Sequence, residues 1–310
     1  MFIGVEIGGT KLQVVAGRAG TGIVERLRLA VDREAGGEGI RGQLAAHLPG
    51  LVERYQPWGI GVGFGGPVDG RTGRICCSHQ IAGWHDFPLG DWFRDRTGLP
   101  VAVDNDANVA ALGEAWHGAG RGASPVFWIN MGSGVGGGLV VGGRLYHGAP
   151  PGEAEIGHVC LDRQGTRVEE RCSGWAMDAR LLEAIATDPE SDLARRVRGG
   201  PGPASRHLGP AVAAGDPLAR RLLDELGDSL AFALSHVVQL LHPEVIVLGG
   251  GLSLVGEPLR ETVARQLVRY VMDSFRPGPR VTLAGLGEDS VPVGALTLAE
   301  QLLAGPGPAR

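Results

Sequence analysis

Short apolar runs broken by glycine open the chain. Phe2 to Ile7 reads as a buried strand that stops at Gly8-Gly9, and Lys11 to Ala16 and Ile23 to Leu29 read as its successors. This predicts a β-hairpin closed by a glycine turn, with a third strand beside it. The period then changes: Ile40, Leu44, Leu48 and Leu51 recur at helical spacing and predict a helix over Gly39 to Arg54. Gly59 to Phe64 predicts a strand ending in Gly65-Gly66-Pro67, and 68–88 reads as irregular. Leu89 to Thr97 predicts a helix and Val101 to Val103 a buried strand. Asn105 to His117 predicts a helix capped by Asp104 or Asn105. The same order then restarts. Val126 to Asn130 reads as a strand, Met131 to Gly138 as a glycine turn, and Leu139 to Val141 and Gly143 to Tyr146 as strands. Helices are expected at 173–187 and 216–241, a strand at Val245 to Leu248 before Gly249-Gly250-Gly251, a helix at 257–273, a strand at Val281 to Ala284 and a last helix at 292–304. The Gly-, Pro-, Arg- and Asp-rich stretch 188–215 reads as a mobile surface excursion. Two similar α/β lobes follow from this, an architectural repeat rather than a sequence repeat.

Composition narrows the picture. The chain has 53 glycines and 20 prolines in 310 residues, yet 43% of it is apolar and periodic, so neither disorder nor collagen fits. A net charge of -5 with mixed signs argues against a nucleic-acid binder. Cys76, Cys77, Cys160 and Cys172 show no disulfide framework, which favours a reducing compartment. No leader peptide and no membrane span is expected, so the product reads as cytoplasmic. Of 29 basic residues only Lys11 is lysine, and asparagine occurs only at Asn105, Asn108 and Asn130. Scarce residues gathered at a few places mark those places for chemistry.

Gly61-Val-Gly63-Phe-Gly65-Gly66 and Gly132-Ser-Gly134-Val-Gly136-Gly137 match the dinucleotide fingerprint, but neither opens a helix, so that reading is rejected. Thr10-Lys11 reverses the P-loop order. What remains is a strand, a glycine turn and a strand, used twice. Such turns let backbone N–H groups approach a phosphate, and Thr10 and Ser133 add hydroxyls. Gly61, Gly63, Gly65 and Gly66 are assigned with them to an active cleft. Lys11, beside the first turn, is expected to contact nucleotide phosphates or a nearby carboxylate.

GVEIGGTKLQVV (4–15) resembles the first phosphate loop of ROK-type sugar kinases, within the actin-like ATPase superfamily, and WINMGSGVGGGLV (128–140) resembles their second. VIVLGGGLS (245–253) resembles their adenosine-bordering segment, DNDANVAALGE (104–114) the catalytic segment, EIGH (155–158) the sugar-binding motif and VGAL (293–296) a terminal match. The motifs keep family order over residues 1 to about 300.

The resemblance implies an α/β fold of two actin-like (ribonuclease H-like) lobes with a cleft between them. These would be residues 1–117, with a C-terminal helix 290–310 returning to that lobe, and residues 118–289. It implies ATP-dependent phosphorylation of a hexose, glucose first, with fructose, mannose, N-acetylmannosamine and N-acetylglucosamine as alternatives. Asp106 would be the general base, since a loose phosphoryl transition state needs only a weak one. Gly65, Gly66, Gln80, Asn105, Asp106, Glu155 and His158 would hold the sugar, and Glu153 is a further candidate. Gly8, Gly9, Thr10, Lys11, Gly132, Ser133, Gly134, Gly249, Gly250 and Gly251 would hold ATP.

Two positions depart from the family pattern. Glu6 stands where the superfamily commonly has an aspartate for hydrated Mg²⁺; it would ligate through water. The zinc-loop region keeps only Cys160 and Cys172 after His158, so no structural zinc is expected. A homodimer with no nucleic-acid or membrane partner is the expected assembly. A sugar-sensing regulator is the competing class. The chain opens on the first strand, with no DNA-binding segment expected before it, and Asp106 favours catalysis.

Overall fold

The computed structural model describes residues 1–305 except His79, Pro151 and Glu153. The first run of elements is β1 (Phe2–Ile7), β2 (Leu12–Arg18), β3 (Gly22–Leu29), α1 (Gly36–Tyr55), β4 (Ile60–Phe64), β5 (Val68–Asp69), β6 (Arg74–Ile75), α2 (Leu89–Thr97), β7 (Val101–Asn105) and α3 (Asp106–His117). The second begins with β8 (Val126–Met131), β9 (Val135–Val141) and β10 (Arg144–Leu145). It continues through α4 (Val168–Cys172), α5 (Gly174–Thr187), α6 (Asp192–Gly199), α7 (Leu208–Ala213) and α8 (Pro217–Leu241). It closes with β11 (Val245–Gly249), α9 (Glu257–Leu267), β12 (Arg280–Leu283) and α10 (Ser290–Ala304).

Two five-stranded sheets share one strand order, β3-β2-β1-β4-β7 and β10-β9-β8-β11-β12. In the first, β1–β2 and β2–β3 are antiparallel while β1–β4 and β4–β7 are parallel. In the second, β9–β10 is antiparallel and β8–β11 and β11–β12 are parallel. The repeat expected from the sequence is thus an identity of topology. The chain forms two compact units, one of Met1–Gly122, Gly138–Ala154 and Gly285–Arg310, the other of Ala123–Gly137 and Glu155–Ala284.

Strand alternation builds the first unit. Ile3, Val5 and Ile7 share a core with Ile40, Leu44, Leu48 and Leu51 of α1 and with Phe64, Trp84 and Phe93. Phe2 and Val15 join Val293, Leu296 and Ala299 of α10. Glycine brings that helix close. A Cβ at Gly61 would stand 1.9 Å from the Ala295 carbonyl oxygen, and one at Gly63 2.8 Å from the Val291 side chain. Gly61 and Gly63 are therefore helix-packing positions, which corrects their assignment to the cleft. In the second unit, α8 buries Leu218, Leu222, Leu223, Leu226, Leu230 and Leu234.

Three further expectations change. β9 begins at Val135, so the second glycine turn is only Gly132 to Gly134, and α9 stops at Leu267. Stretch 188–215 is folded as α6, a 3-10 turn at Ala204–His207 and α7, with Leu193, Ala194, Leu208, Ala211 and Val212 buried. Ser191 caps α6, and the Asp216 carboxylate accepts from Leu193 N–H and Ala219 N–H, so one residue ties α6 to the start of α8. Gly200 to Pro203 link α6 to the 3-10 turn, whereas Gly199, Gly209 and Pro210 are taken up inside α6 and α7. No helix among the described residues is long and apolar enough to cross a membrane.

Candidate active site

The parallel strands β1, β4 and β7 end side by side, and the first unit's candidate residues follow directly from their carboxyl ends. Open α/β sheets bind ligands at such ends. Gly8 follows β1, Gly65 follows β4, and Asp106 follows β7 as the first residue of α3. Gly65 N–H donates to the Ile7 carbonyl at 2.8 Å. A Cβ at Gly65 would stand 3.3 Å from Asp106 Oδ2 and 3.4 Å from Gly8 Cα, so glycine there leaves the Asp106 carboxylate against the first glycine turn. In that turn Gly8 N–H donates to the Lys11 carbonyl at 2.7 Å, and Thr10 and Lys11 are exposed. The Gln80 side chain lies over Gly9, where a Cβ would collide with it. Gly8, Gly9, Gly65, Gly66, Gln80, Asn105 and Asp106 are thereby brought together.

The catalytic segment is tightly wired. Asn105 Oδ1 accepts the N–H groups of Ala107 (2.8 Å) and Asn108 (3.3 Å), capping α3, while Nδ2 donates to the Gly66 carbonyl (3.1 Å). The positive end of α3 favours an ionised carboxylate at Asp106. Asp104, 3% exposed, accepts at Oδ1 from Asn105 N–H (2.8 Å) and Asn108 Nδ2 (2.9 Å). Its Oδ2 meets His147 Nε2 at 2.7 Å. His147 drew no attention in the sequence, where a lone histidine in a glycine- and proline-rich loop carries no signal.

Glu6 is the last residue but one of β1, and its carboxylate is buried. Gln13 Nε2 donates to Glu6 Oε2 at 2.5 Å, and Arg26 Nη1 donates to Gln13 Oε1 at 3.1 Å. Burial pushes the Glu6 carboxyl pKa up, opposed by the Gln13 hydrogen bond and by the charges of Lys11 and Arg26. The charge of Lys11 is thus felt at Glu6.

In the second unit the glycine turn Gly132-Ser133-Gly134 follows β8. Gly174 N–H, at the start of α5, donates to the Gly132 carbonyl at 2.7 Å. A Cβ at Gly134 would stand 3.2 Å from Glu169 Oε2, a carboxylate the sequence did not single out. Gly249 is covered by the Trp128 indole, Gly250 (φ +81°) packs on Asn130 and Met131, and Gly251 has open space around it. Glu155 precedes and His158 closes a 3-10 turn pressed onto Val135, and Glu155 Oε2 lies 3.6 Å from His158 Nδ1, both side chains half exposed. Glu153 lies outside the described residues. Among the described residues no three His, Cys, Asp or Glu side chains cluster as a metal site.

Two sheets of one topology, each with a glycine turn between its first two strands, define an actin-like α/β ATPase fold. Comparison with known proteins narrows this: the ROK family model matches residues 2–302, and the chain belongs to the ROK family. It is similar to a glucokinase of Halalkalibacterium halodurans, 32% identical over 97% of this chain and 95% of that one. A glucokinase of Thermotoga maritima is 32% identical over 98% of each chain. The crystal structure of a ROK family glucokinase from Streptomyces griseus in complex with glucose and AMPPNP superposes with a TM-score of 0.82, at 32% identity, covering 97% of this chain and 99% of that one.

Proposed function

We infer that the protein is an ATP-dependent sugar kinase that phosphorylates a hexose, with glucose as the first substrate to test. The observation that carries the reading is the convergence of Gly8, Gly65 and Asp106 at the carboxyl ends of β1, β4 and β7. The near-full-length similarity to glucokinases supports the choice of sugar.

Asp106 accepts the hydroxyl proton as the sugar oxygen bonds to the γ-phosphorus and the bond to the ADP oxygen breaks. A weak base suffices for this step, because charge in the transition state lies mainly on the phosphoryl oxygens. The Asn105 amide, with one hydrogen left after its cap and its bond to Gly66, donates to a sugar hydroxyl. Glu155 and His158, adjacent and exposed, offer an acceptor and a donor for other ring hydroxyls. The Gly8 and Gly132 N–H groups close the two glycine turns on the Lys11 and Gly134 carbonyls, which leaves the backbone N–H groups of Gly9 to Lys11, of Ser133 and Gly134, and of Gly251 to face the nucleotide.

Glu6, two residues before the first glycine turn, is the carboxylate that would hold Mg²⁺ through water, since the ion needs only one or two carboxylates with water completing its shell. When bound, the ion would neutralise phosphate charge. We further propose a cytoplasmic homodimer without structural zinc.

Coupled ADP-release kinetics over a hexose panel test the kinase reading. Turnover is expected with at least one hexose, and Asp106→Asn should lower kcat by about 10²- to 10⁴-fold. Sugar binding without turnover on any hexose would sink this reading and leave a sugar sensor.

A further inference from the structure

We propose that His147 is a positioning residue for phosphoryl transfer: through Asp104 it fixes the first turn of α3, and with it the carboxylate of Asp106. The proposal rests on Asp106 acting as the base. A carboxylate oxygen only accepts, so His147 Nε2 carries the hydrogen and donates to Asp104 Oδ2 at 2.7 Å.

Asp104 Oδ1 is already committed to Asn105 N–H and Asn108 Nδ2, one residue before the base and two residues after it. Those bonds are local: they tie Asp104 to its own helix start and would travel with it. The bond to His147 reaches 43 residues along the chain, to the segment after β10. It therefore references the catalytic turn to another part of the first unit.

The turn between β5 and β6 packs against the pair. A Cβ at Gly70 would stand 3.1 Å from Asp104 Oδ2 and 3.4 Å from His147 Nε2. Three stretches of one unit thus meet at one hydrogen bond. The carboxylate is 4% exposed and the imidazole 39% exposed, so the bond has one dry end and one that solvent reaches. Substituting the histidine at the wet end is easier to tolerate than replacing the buried aspartate, which makes His147 the residue to test.

Steady-state kinetics of the full chain with the best hexose decide it. His147→Ala should lower kcat by about 10- to 100-fold, the scale of a sub-ångström to ångström misplacement of a catalytic group, with KM for ATP within about twofold of wild type. His147→Gln, which keeps an N–H donor, should recover most of kcat. Gly70→Ala, which crowds the bond without removing either partner, should lower kcat in the same direction. Wild-type kcat in His147→Ala, or a Gln variant no better than the Ala variant, overturns the proposal. Asp106→Asn run alongside separates the two readings: full turnover there would overturn the base assignment itself, whereas a dead Asp106→Asn beside a normal His147→Ala overturns only the positioning role.

Discussion

Asn105 spends one amide on three bonds: Oδ1 caps α3 through Ala107 and Asn108, and Nδ2 holds the Gly66 carbonyl. Capping and sugar binding look like rival explanations of the DNDAN run when only the sequence is read. The structure lets one side chain do the first and still offer a hydrogen for the second, because the two faces of an amide are chemically distinct. Substitution separates them. Asn105→Asp keeps the cap, since aspartate caps as well as asparagine and the helix end tolerates its charge, but it removes both N–H donors. Asn105→Ala loses the cap too, at a cost of about 1 kcal/mol. The aspartate variant should lose the stability of the Gly66 bond in urea while keeping the cap, and its sugar KM should rise about tenfold or more; the alanine variant should lose cap and bond together. Wild-type sugar affinity in the aspartate variant would remove Nδ2 from the sugar site. At this scale the catalytic segment was legible because scarce residue types crowd into it. His147 was not, since its only distinction is a contact made across the fold.

Among elements, α3 and α10 show how glycine is used away from any ligand. A Cβ at Gly294 would stand 1.8 Å from the Val109 carbonyl oxygen, and one at Gly113 2.4 Å from the Ser290 carbonyl oxygen, so the two helices cross backbone to backbone. Gly294→Ala must push them apart, and we expect a loss of about 1–3 kcal/mol or more in urea unfolding. Gly42→Ala, in the exposed face of α1 with nothing within 4 Å of the new Cβ, should instead stabilise by about 0.5–1 kcal/mol. Equal effects at both positions would mean that helix contact is not what Gly294 serves. Strands and long helices were legible because their periods run for several turns or pleats. The roles of the glycines were not. Gly8 in an open turn, Gly61 under a helix and Gly249 under an indole look alike as letters, and only their neighbours distinguish them. The short helices α4, α6 and α7 escaped for a related reason: α4 and α7 have too few residues to show a period, and α6 and α7 stand among Gly and Pro that dominate the composition there.

The whole chain folds its first unit from three stretches, the last of them Gly285–Arg310. That stretch brings α10 over Phe2 and Val15. It also satisfies Glu114, a fully buried carboxylate that accepts from Gly285 N–H, Leu286 N–H and Ser290 Oγ, each at 2.9 Å, and from Ala119 N–H at 2.8 Å. Ending the chain at Ala284 would strip three of those donors from a buried charge, a penalty of about 1–3 kcal/mol or more, and uncover the apolar face as well. The second unit loses none of its own residues. The cysteines report on each unit separately. Cys76 and Cys77 are half-buried in the first; Cys160 is exposed and Cys172 buried in the second. Burial pushes the Cys172 thiol up to about 12, so almost no thiolate exists there at pH 8. In the full chain a disulfide-exchange reagent at pH 8 should modify Cys160 at once, Cys76 and Cys77 more slowly, and Cys172 only on unfolding. The folded-state pKa lies above the ordinary thiol value of 9. The stability tied to the protonated thiol is therefore complete below about pH 9 and is lost as pH rises toward 12. In the chain ending at Ala284, Cys76 and Cys77 should react as fast as in urea while Cys172 stays protected. Cys172 reacting there as fast as Cys76 would mean that the second unit does not hold its fold once the first is lost.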